Sequence, residues 1–232
     1  MRKTKSSGTK MRLLAAASDV FGEKGFRDTT VAEICSRAGA NISAVNYYFG
    51  SKEILYQESW RHSFSQAIAA HPQDGGVSAD APAAERLRGQ IKALIERIAD
   101  ENNRDFIISH MEFISPTGLL AEVMKTELIP LHEKTLAVVR ELLGAEVSEQ
   151  SVHFCETSII SMCVHPMVIQ RVRQRTKTIG GLFVISDIEA FADHVLQFAL
   201  AGIARIGEES SQTCPAAQTA DAGKPRRKEW SR

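Results

Sequence analysis

Apolar residues recur at steps of three and four along almost the whole chain, while strand-like alternation is scarce. A chain patterned this way must bury helix faces against one another, so the expected fold is all-α. From Thr9 onward, Met11, Leu14, Ala15, Ala17, Val20 and Phe21 trace one face of a first helix, closed by Gly22 and Gly25. Asp28, Thr29 and Thr30 offer N-caps, with Glu33 at capping-box spacing from Thr30, before a short helix that runs to Ala38 and stops at Gly39. Asn41 can cap a third helix over Ile42 to Phe49. After Gly50, Ser51 caps a longer fourth helix carrying Leu55, Trp60, Phe64 and Ile68.

With 232 residues, 44% apolar and 24% charged, the chain is neither disordered nor a small disulfide scaffold, and it has room for two domains. The stretch from His71 to Pro82 gathers prolines, glycines and small polar residues, which is linker chemistry. Helical periods then run over about 83–101, 104–114, 118–143, 148–175 and 186–206. The expected division is a head at 1–70, a linker at 71–83, a helical body at 84–206 and a disordered tail at 207–232. Cys35, Cys155, Cys163 and Cys214 lack paired spacings and read as reduced thiols. No apolar run approaches the roughly 18 residues of a membrane span, and no signal core follows the basic opening, so a cytoplasmic protein with no membrane partner is expected.

Zero net charge hides a gradient. Residues 1–70 sum to +4, and residues 71–170 to −7. A basic head on an acidic body suggests a polyanion for the head and a different partner for the body.

Two short helices joined by the tight turn Gly39-Ala40-Asn41, behind a longer supporting helix, form a helix-turn-helix pattern. Val31, Ile34, Val45 and Phe49 have the spacing to pack inward, which turns Ile42, Ser43, Ala44, Asn46 and Tyr47 outward. Asn46 suits an adenine edge, Ile42 and Ala44 suit thymine methyls, and Ser43 can donate or accept. Thr30, Tyr47, Tyr48 and Lys52 supply hydroxyl and ammonium donors for the flanking phosphates. The stretch "AASDVFGEKGFRDTTVAEICSRAG" followed by "ANISAVNYYFGSKEILY" resembles the N-terminal domain of the tetracycline-repressor (TetR) family. The resemblance implies DNA contacts from Thr30, Ile42 to Ala44, Asn46, Tyr47, Tyr48 and Lys52. It also implies repression as a homodimer on a palindromic operator of double-stranded DNA. Ile42-Ser43-Ala44 departs from the Gly or Thr found in many relatives, so base preference does not transfer.

In the body, Ile188, Phe191, Ala192, Val195, Phe198, Ala199 and Gly202 form a stripe that could pair with a second copy, or serve as internal core. A twofold dimer would set two recognition helices about 34 to 36 Å apart. A cavity for a small, largely apolar ligand is expected among Phe106, His110, Met111, Phe113, Met124, Leu128, His132, Phe154, Ser158, Met162 and His165, although each of these taken singly reads more readily as plain core. Residues 110–144 resemble the C-terminal domain of the CecR subgroup, which implies a drug- or metabolite-responsive regulator. Helix 4 is the expected lever between head and body, with Phe64 as the residue whose replacement by Ala would uncouple them.

Rival readings are a thiol- or metal-responsive regulator using Cys155, Cys163 and His165, and a helical protein-binding adaptor. Residues two apart on a helix point about 200° apart, which works against one ion held by His153 and Cys155. No nucleophile triad, phosphate loop or paired carboxylates stand out, so neither catalysis nor a cofactor is expected. The run Arg171 to Lys177 reads as a solvated helix cap.

Overall fold

The computed structural model describes residues 2–176 and 184–213, with side chains described from Gly8 to Arg171 and from Val184 to Ser210. Among the described residues there are nine helices and no strand: α1 (Arg2–Asp28), α2 (Val31–Ala38), α3 (Ile42–Phe49), α4 (Lys52–Ala70), α5 (Ala83–Ala99), α6 (Asp105–Ile114), α7 (Ala121–Leu143), α8 (Glu149–Thr176) and α9 (Ile188–Thr213). The all-α expectation holds.

Local chemistry sets the first four boundaries. Thr30 Oγ1 accepts from Glu33 N at 3.2 Å, Asn41 Oδ1 from Ser43 N at 3.0 Å, and Ser51 Oγ from Ile54 N at 3.3 Å. Gly39 closes α2 in the left-handed region at φ 58°, where a side chain would be strained. α1 departs from expectation at both ends. It begins at Arg2 and passes straight through Gly22, breaking only at Gly25 with φ 77°. Gly22 lies beside the start of α6, where a Cβ would meet Arg104 Cδ at an ordinary contact distance of 3.7 Å.

Apolar burial gathers into two cores. Leu13, Phe21, Ile34, Val45, Phe49, Tyr56 and Trp60 pack with Ile108, Leu120 and Val123, so α6 and the start of α7 complete the core of the head. The second core joins α5, α7, α8 and α9 through Leu87, Ile91, Ile95, Val139, Ile159, Cys163, Val195 and Ala199.

The segment 71–83, expected as a spacer, is instead clamped against the body. Gly75 has φ +60°, and a Cβ there would lie 2.5 Å from the Gly89 carbonyl oxygen. A Cβ on Gly89 would lie 2.3 Å from Asp74 O. Gln73 Nε2 donates to Leu131 O at 2.6 Å. Backbone approaches that close require glycine on both sides, and composition alone does not reveal that partnership.

α7 and α8 run through Pro130 and Pro166 without ending. α9 continues past the expected limit at 206 to Thr213; residues 214–232, and with them the rest of the expected disordered tail and Cys214, lie outside the described residues. Glu149–Arg171 of α8 is long and apolar enough to cross a membrane by length and composition, with mean hydropathy 1.3. Its inward face, Val152, Cys155, Ile159, Cys163 and Met167, is instead part of the second core.

Candidate DNA-reading surface and ligand cavity

α3 is seated by Val45 and Phe49, both buried, which leaves the opposite face free. Ile42 is 51% exposed and Tyr47 79% exposed, with Ser43 and Asn46 also exposed. Ala44 and Tyr48 are half-buried, packed at the edge of the head core, and the Tyr47 and Tyr48 rings meet edge-on at 4.9 Å. Ser43 donates its hydroxyl to Asn41 Oδ1 at 3.2 Å. Thr30 caps α2 at the surface. Lys52 Nζ sits 4.4 Å from the centre of the Phe26 ring, which fixes where its charge is held. Lys10, which the sequence reading left out, places its ammonium 5.7 Å from the Phe49 ring, behind the recognition helix. Of the eight predicted DNA residues six lie on α3, while Thr30 caps α2 and Lys52 opens α4. Arg37 is committed to Glu23 at 2.6 and 2.9 Å, and Lys24 to Glu33 at 2.6 Å, so these cations are already neutralised.

Between α5, α6, α7 and α8 lies a cavity of about 340 Å³, within the range of small-molecule sites. Its walls are mainly apolar, with Leu87, Ile91, Leu94, Leu131, Ile159 and Val164 joining the expected Phe106, Phe113, Met124 and Leu128. His132, also expected, completes the set found in the wall. The other predicted members lie elsewhere. His110 and Met111 turn away from it, and Met111 Cε lies only 3.2 Å from where a Gly25 Cβ would be, on the α1 side of the helix. Met162 packs in the second core, while Phe154, Ser158 and His165 face outward. The error is one of phase: the inward face of α8 follows Val152, Cys155, Ile159 and Cys163, so the neighbouring stripe faces solvent.

α5 supplies the wall that sequence reasoning missed. Leu87, Gln90, Ile91, Leu94 and Arg97 share one face, and the polar members among apolar neighbours were the available signal. Arg97 lies 5.6 Å over the Phe64 ring, and burial lowers its readiness to hold a proton. Asp105 is 4% exposed, and burial raises its carboxyl to about 6 although Arg97 opposes the shift. Neither Asp105 Oδ1 nor Gln90 Oε1 has a hydrogen-bond partner. His132 Nδ1 pairs with the buried Glu156 Oε1 at 2.6 Å, a bond that raises the imidazole's proton affinity.

α6 lines this cavity and is also tied to α4, with Asp105 and Ser109 taking part in both. Ser63 Oγ accepts from Arg104 N at 3.1 Å and Asp105 N at 2.9 Å, satisfying the free donors at the start of α6. Trp60 Nε1 donates to Ser109 Oγ at 2.8 Å and Asp105 O at 3.2 Å. At the far end, Tyr56 donates to Glu112 Oε2 at 3.3 Å, and Glu112 Oε1 accepts from Thr117 N at 2.9 Å and Gly118 N at 2.8 Å. Burial and the Glu112 charge both raise the Tyr56 hydroxyl's pKa, so it stays a donor.

The predicted pairing stripe divides. Ala192, Val195 and Ala199 are internal core, Ile188 and Phe191 pack at its edge, and Phe198 and Gly202 face outward. Phe198 is 65% exposed and Phe154 62%, which puts large apolar side chains on the outside of both α9 and α8.

Cys155 and Cys163 are buried, and burial pushes the Cys163 thiol up to about 12. His165 points outward from the same helix, so these three do not converge. Among the described residues no group of three His, Cys, Asp or Glu is placed to hold a metal ion. Arg171, read as a solvated cap, instead reaches across to Asp100 O at 2.7 Å.

Two family models match the chain: bacterial regulatory proteins of the tetR family over residues 13–58, and the HTH-type transcriptional dual regulator CecR, C-terminal domain, over residues 83–203. The HTH-type transcriptional dual regulator CecR of Shigella flexneri is 32% identical over 158 residues, covering 62% of this chain and 69% of that one. The HTH-type transcriptional regulator BetI of Burkholderia thailandensis is 32% identical over 129 residues, and the match covers 54% of this chain and 56% of BetI. The crystal structure of the transcriptional regulator FadR from Bacillus subtilis, in complex with stearoyl-CoA, superposes with TM-score 0.63 at 18% identity, covering 83% of this chain and 98% of that one. That last likeness is one of fold.

Proposed function

This chain belongs to the TetR family of bacterial transcriptional regulators, with a CecR-type C-terminal domain, and from that premise we propose that it is a repressor released from its operator by a small, largely apolar molecule bound among α5, α6, α7 and α8. The observation that carries this reading is the double duty of α6. Asp105, Phe106, Ser109 and Phe113 face the cavity, while the backbone and side chains of the same helix hold Trp60 and Ser63 of α4.

The mechanism follows from linkage. α4 begins at Lys52, beside the recognition helix, and ends at Ala70 beside the cavity. A ligand that fills the cavity only when α6 shifts will move the anchors of Trp60 and Ser63, and with them the head. DNA affinity then falls by the ligand's differential affinity for the two arrangements, typically about 1 to 3 kcal/mol. Asn46, Ser43 and Ile42 read base edges in this scheme, while Thr30, Tyr47, Tyr48 and Lys52 fix register on phosphates. The outer faces of α8 and α9, with Phe154 and Phe198, pair two copies so that a palindrome is read twice. The protein works in the cytoplasm and carries out no catalysis. The stearoyl-CoA bound by the Bacillus subtilis FadR supports a site for a molecule with an apolar chain in a body of this fold.

A gel-shift series on the protein's own upstream DNA tests the reading. The logarithm of affinity should fall linearly with the logarithm of salt concentration, as counterion release requires. Salt-independent binding, or no binding to any fragment at low salt, would remove the DNA reading and leave the adaptor.

A further inference from the structure

The rings of Trp60 and Phe64 on α4 stack with their centres 5.1 Å apart, and two cavity residues rest on them. Arg97 of α5 holds its guanidinium 5.6 Å over Phe64, and Ser109 Oγ of α6 accepts from Trp60 Nε1 at 2.8 Å. Both residues line the cavity. Both also keep protons to offer. Among the described residues the Arg97 side chain makes no hydrogen bond and no ion pair, and the Ser109 hydroxyl donates to no acceptor. Asp105 Oδ1, Gln90 Oε1 and Arg171 Nη1 are sealed inside the protein and meet no ligand, whereas the Arg97 nitrogens are not sealed.

The charges nearby set the sign of the partner. Asp105 feels both Arg97 and Arg171, and Arg171 reaches the backbone oxygens of Asp100 and Asn103 at 2.7 and 3.4 Å. Two guanidiniums share one carboxylate, so one positive charge is in excess, and Arg97 is the cation that a ligand can reach. The wall's histidines do not offset it. His71 lies 3.3 Å from Asp100 and 3.7 Å from Glu96, His132 pairs with Glu156 at 2.6 Å, and the carboxylate whose charge acts on Arg97 is Asp105. A desolvated guanidinium without a partner is costly between apolar walls. A ligand anion removes that cost, an ammonium adds to it, and a neutral head leaves most of it in place.

We propose that Arg97 and Ser109 form a head-group site in the cavity for a monoanion of the carboxylate class, carried on an apolar body that lies along Leu87, Ile91, Leu94 and Leu128. The carboxylate accepts from the guanidinium fork and from the Ser109 hydroxyl. Because both donors rest on Trp60 and Phe64, the head group acts on α4 directly. The inference rests on the ligand-responsive reading above and specifies the class of molecule and the residues that receive it.

The test uses three probes of equal chain length, octanoate, octanamide and octylamine, titrated calorimetrically into the full-length protein at neutral pH, with an operator gel-shift run beside each. Octanoate should bind at least about tenfold more tightly than either analogue. Arg97→Met, which keeps an apolar stem and removes the charge, should lower octanoate affinity at least about tenfold and leave octanamide close to the parent. Ser109→Ala should lower octanoate affinity about threefold. Arg97→Lys keeps the charge and should keep the order of the three probes, which separates a lost head-group site from a damaged fold. Tighter or equal binding of octanamide or octylamine, binding of none, or octanoate binding untouched by Arg97→Met overturns the assignment. The gel-shift separates the two claims. Octanoate binding without loss of DNA supports the head-group site and overturns the release mechanism, whereas release driven by octanamide or octylamine alone overturns the site and keeps the mechanism.

Discussion

Asp105 shows how one residue's environment becomes a measurable quantity. Its carboxyl is raised from 3.8 to about 6 by burial, a difference worth about 3 kcal/mol against the folded state once the group is ionised in both states. The unfolded chain releases this proton first, so the cost appears as pH rises above the unfolded pKa and is complete once pH exceeds the folded one. Asp105→Asn should therefore raise the melting temperature at pH about 8, with the gain shrinking as pH falls through about 6 to about 4. A gain that is flat across that range would contradict the shift. On α3, Asn46 projects from a helix seated by Val45 and Phe49, so truncation should leave the fold alone. Asn46→Ala is expected to lose about 1 to 3 kcal/mol on the operator and almost nothing on random DNA, whereas Lys52→Ala should weaken both alike. Competition gel-shifts distinguish the two patterns. The sequence singled out Asn46 because helical spacing turns it outward, where its amide suits an adenine edge. It gave no such cue for Asp105, whose importance comes from the neighbours that bury it.

Between elements, the α4–α6 contact is the place where a cavity and a DNA surface can communicate. Ser63 Oγ caps the start of α6 and Trp60 reaches both Asp105 O and Ser109, so α6 cannot slide without disturbing α4. Ser63→Ala removes the acceptor for two backbone donors and should cost about 1 to 3 kcal/mol of stability. Its more telling effect is on coupling: operator affinity without ligand should stay within about threefold of the parent, while ligand-driven release weakens. Phe64→Ala should act in the same direction, because it removes the ring that holds Arg97 in place. Undiminished release in both variants would place the lever elsewhere. Helical periodicity located both helices, since each is a regular amphipathic run. The phase of α8 is not legible in the sequence, because Phe154, Ser158 and His165 make a plausible stripe beside the buried one.

At the scale of the whole molecule, the outward Phe154 of α8 and Phe198 of α9 leave an apolar surface that a second copy would cover. In sedimentation the parent should run as a dimer and Phe198→Glu as a monomer with helicity close to the parent, because the residue is 65% exposed in the single chain. The monomer should bind a palindromic operator far more weakly, with its half-site contacts unchanged. A variant that stays dimeric would mean that other surfaces pair. What the amino-acid order determined unaided was local: most helix periods, the caps at Thr30, Asn41 and Ser51, the left-handed turn at Gly39, and which residues of the reading helix turn outward. These depend on residues within a few positions of one another, where spacing fixes geometry. The tertiary structure alone decided that α6 completes the head's core, that Gly75 and Gly89 bring segment 71–83 onto the body, and that Arg97 and Asp105 share a cavity without pairing. Such facts arise from side chains far apart in the chain competing for the same buried volume, and the winner of that competition leaves no mark on any one stretch of sequence.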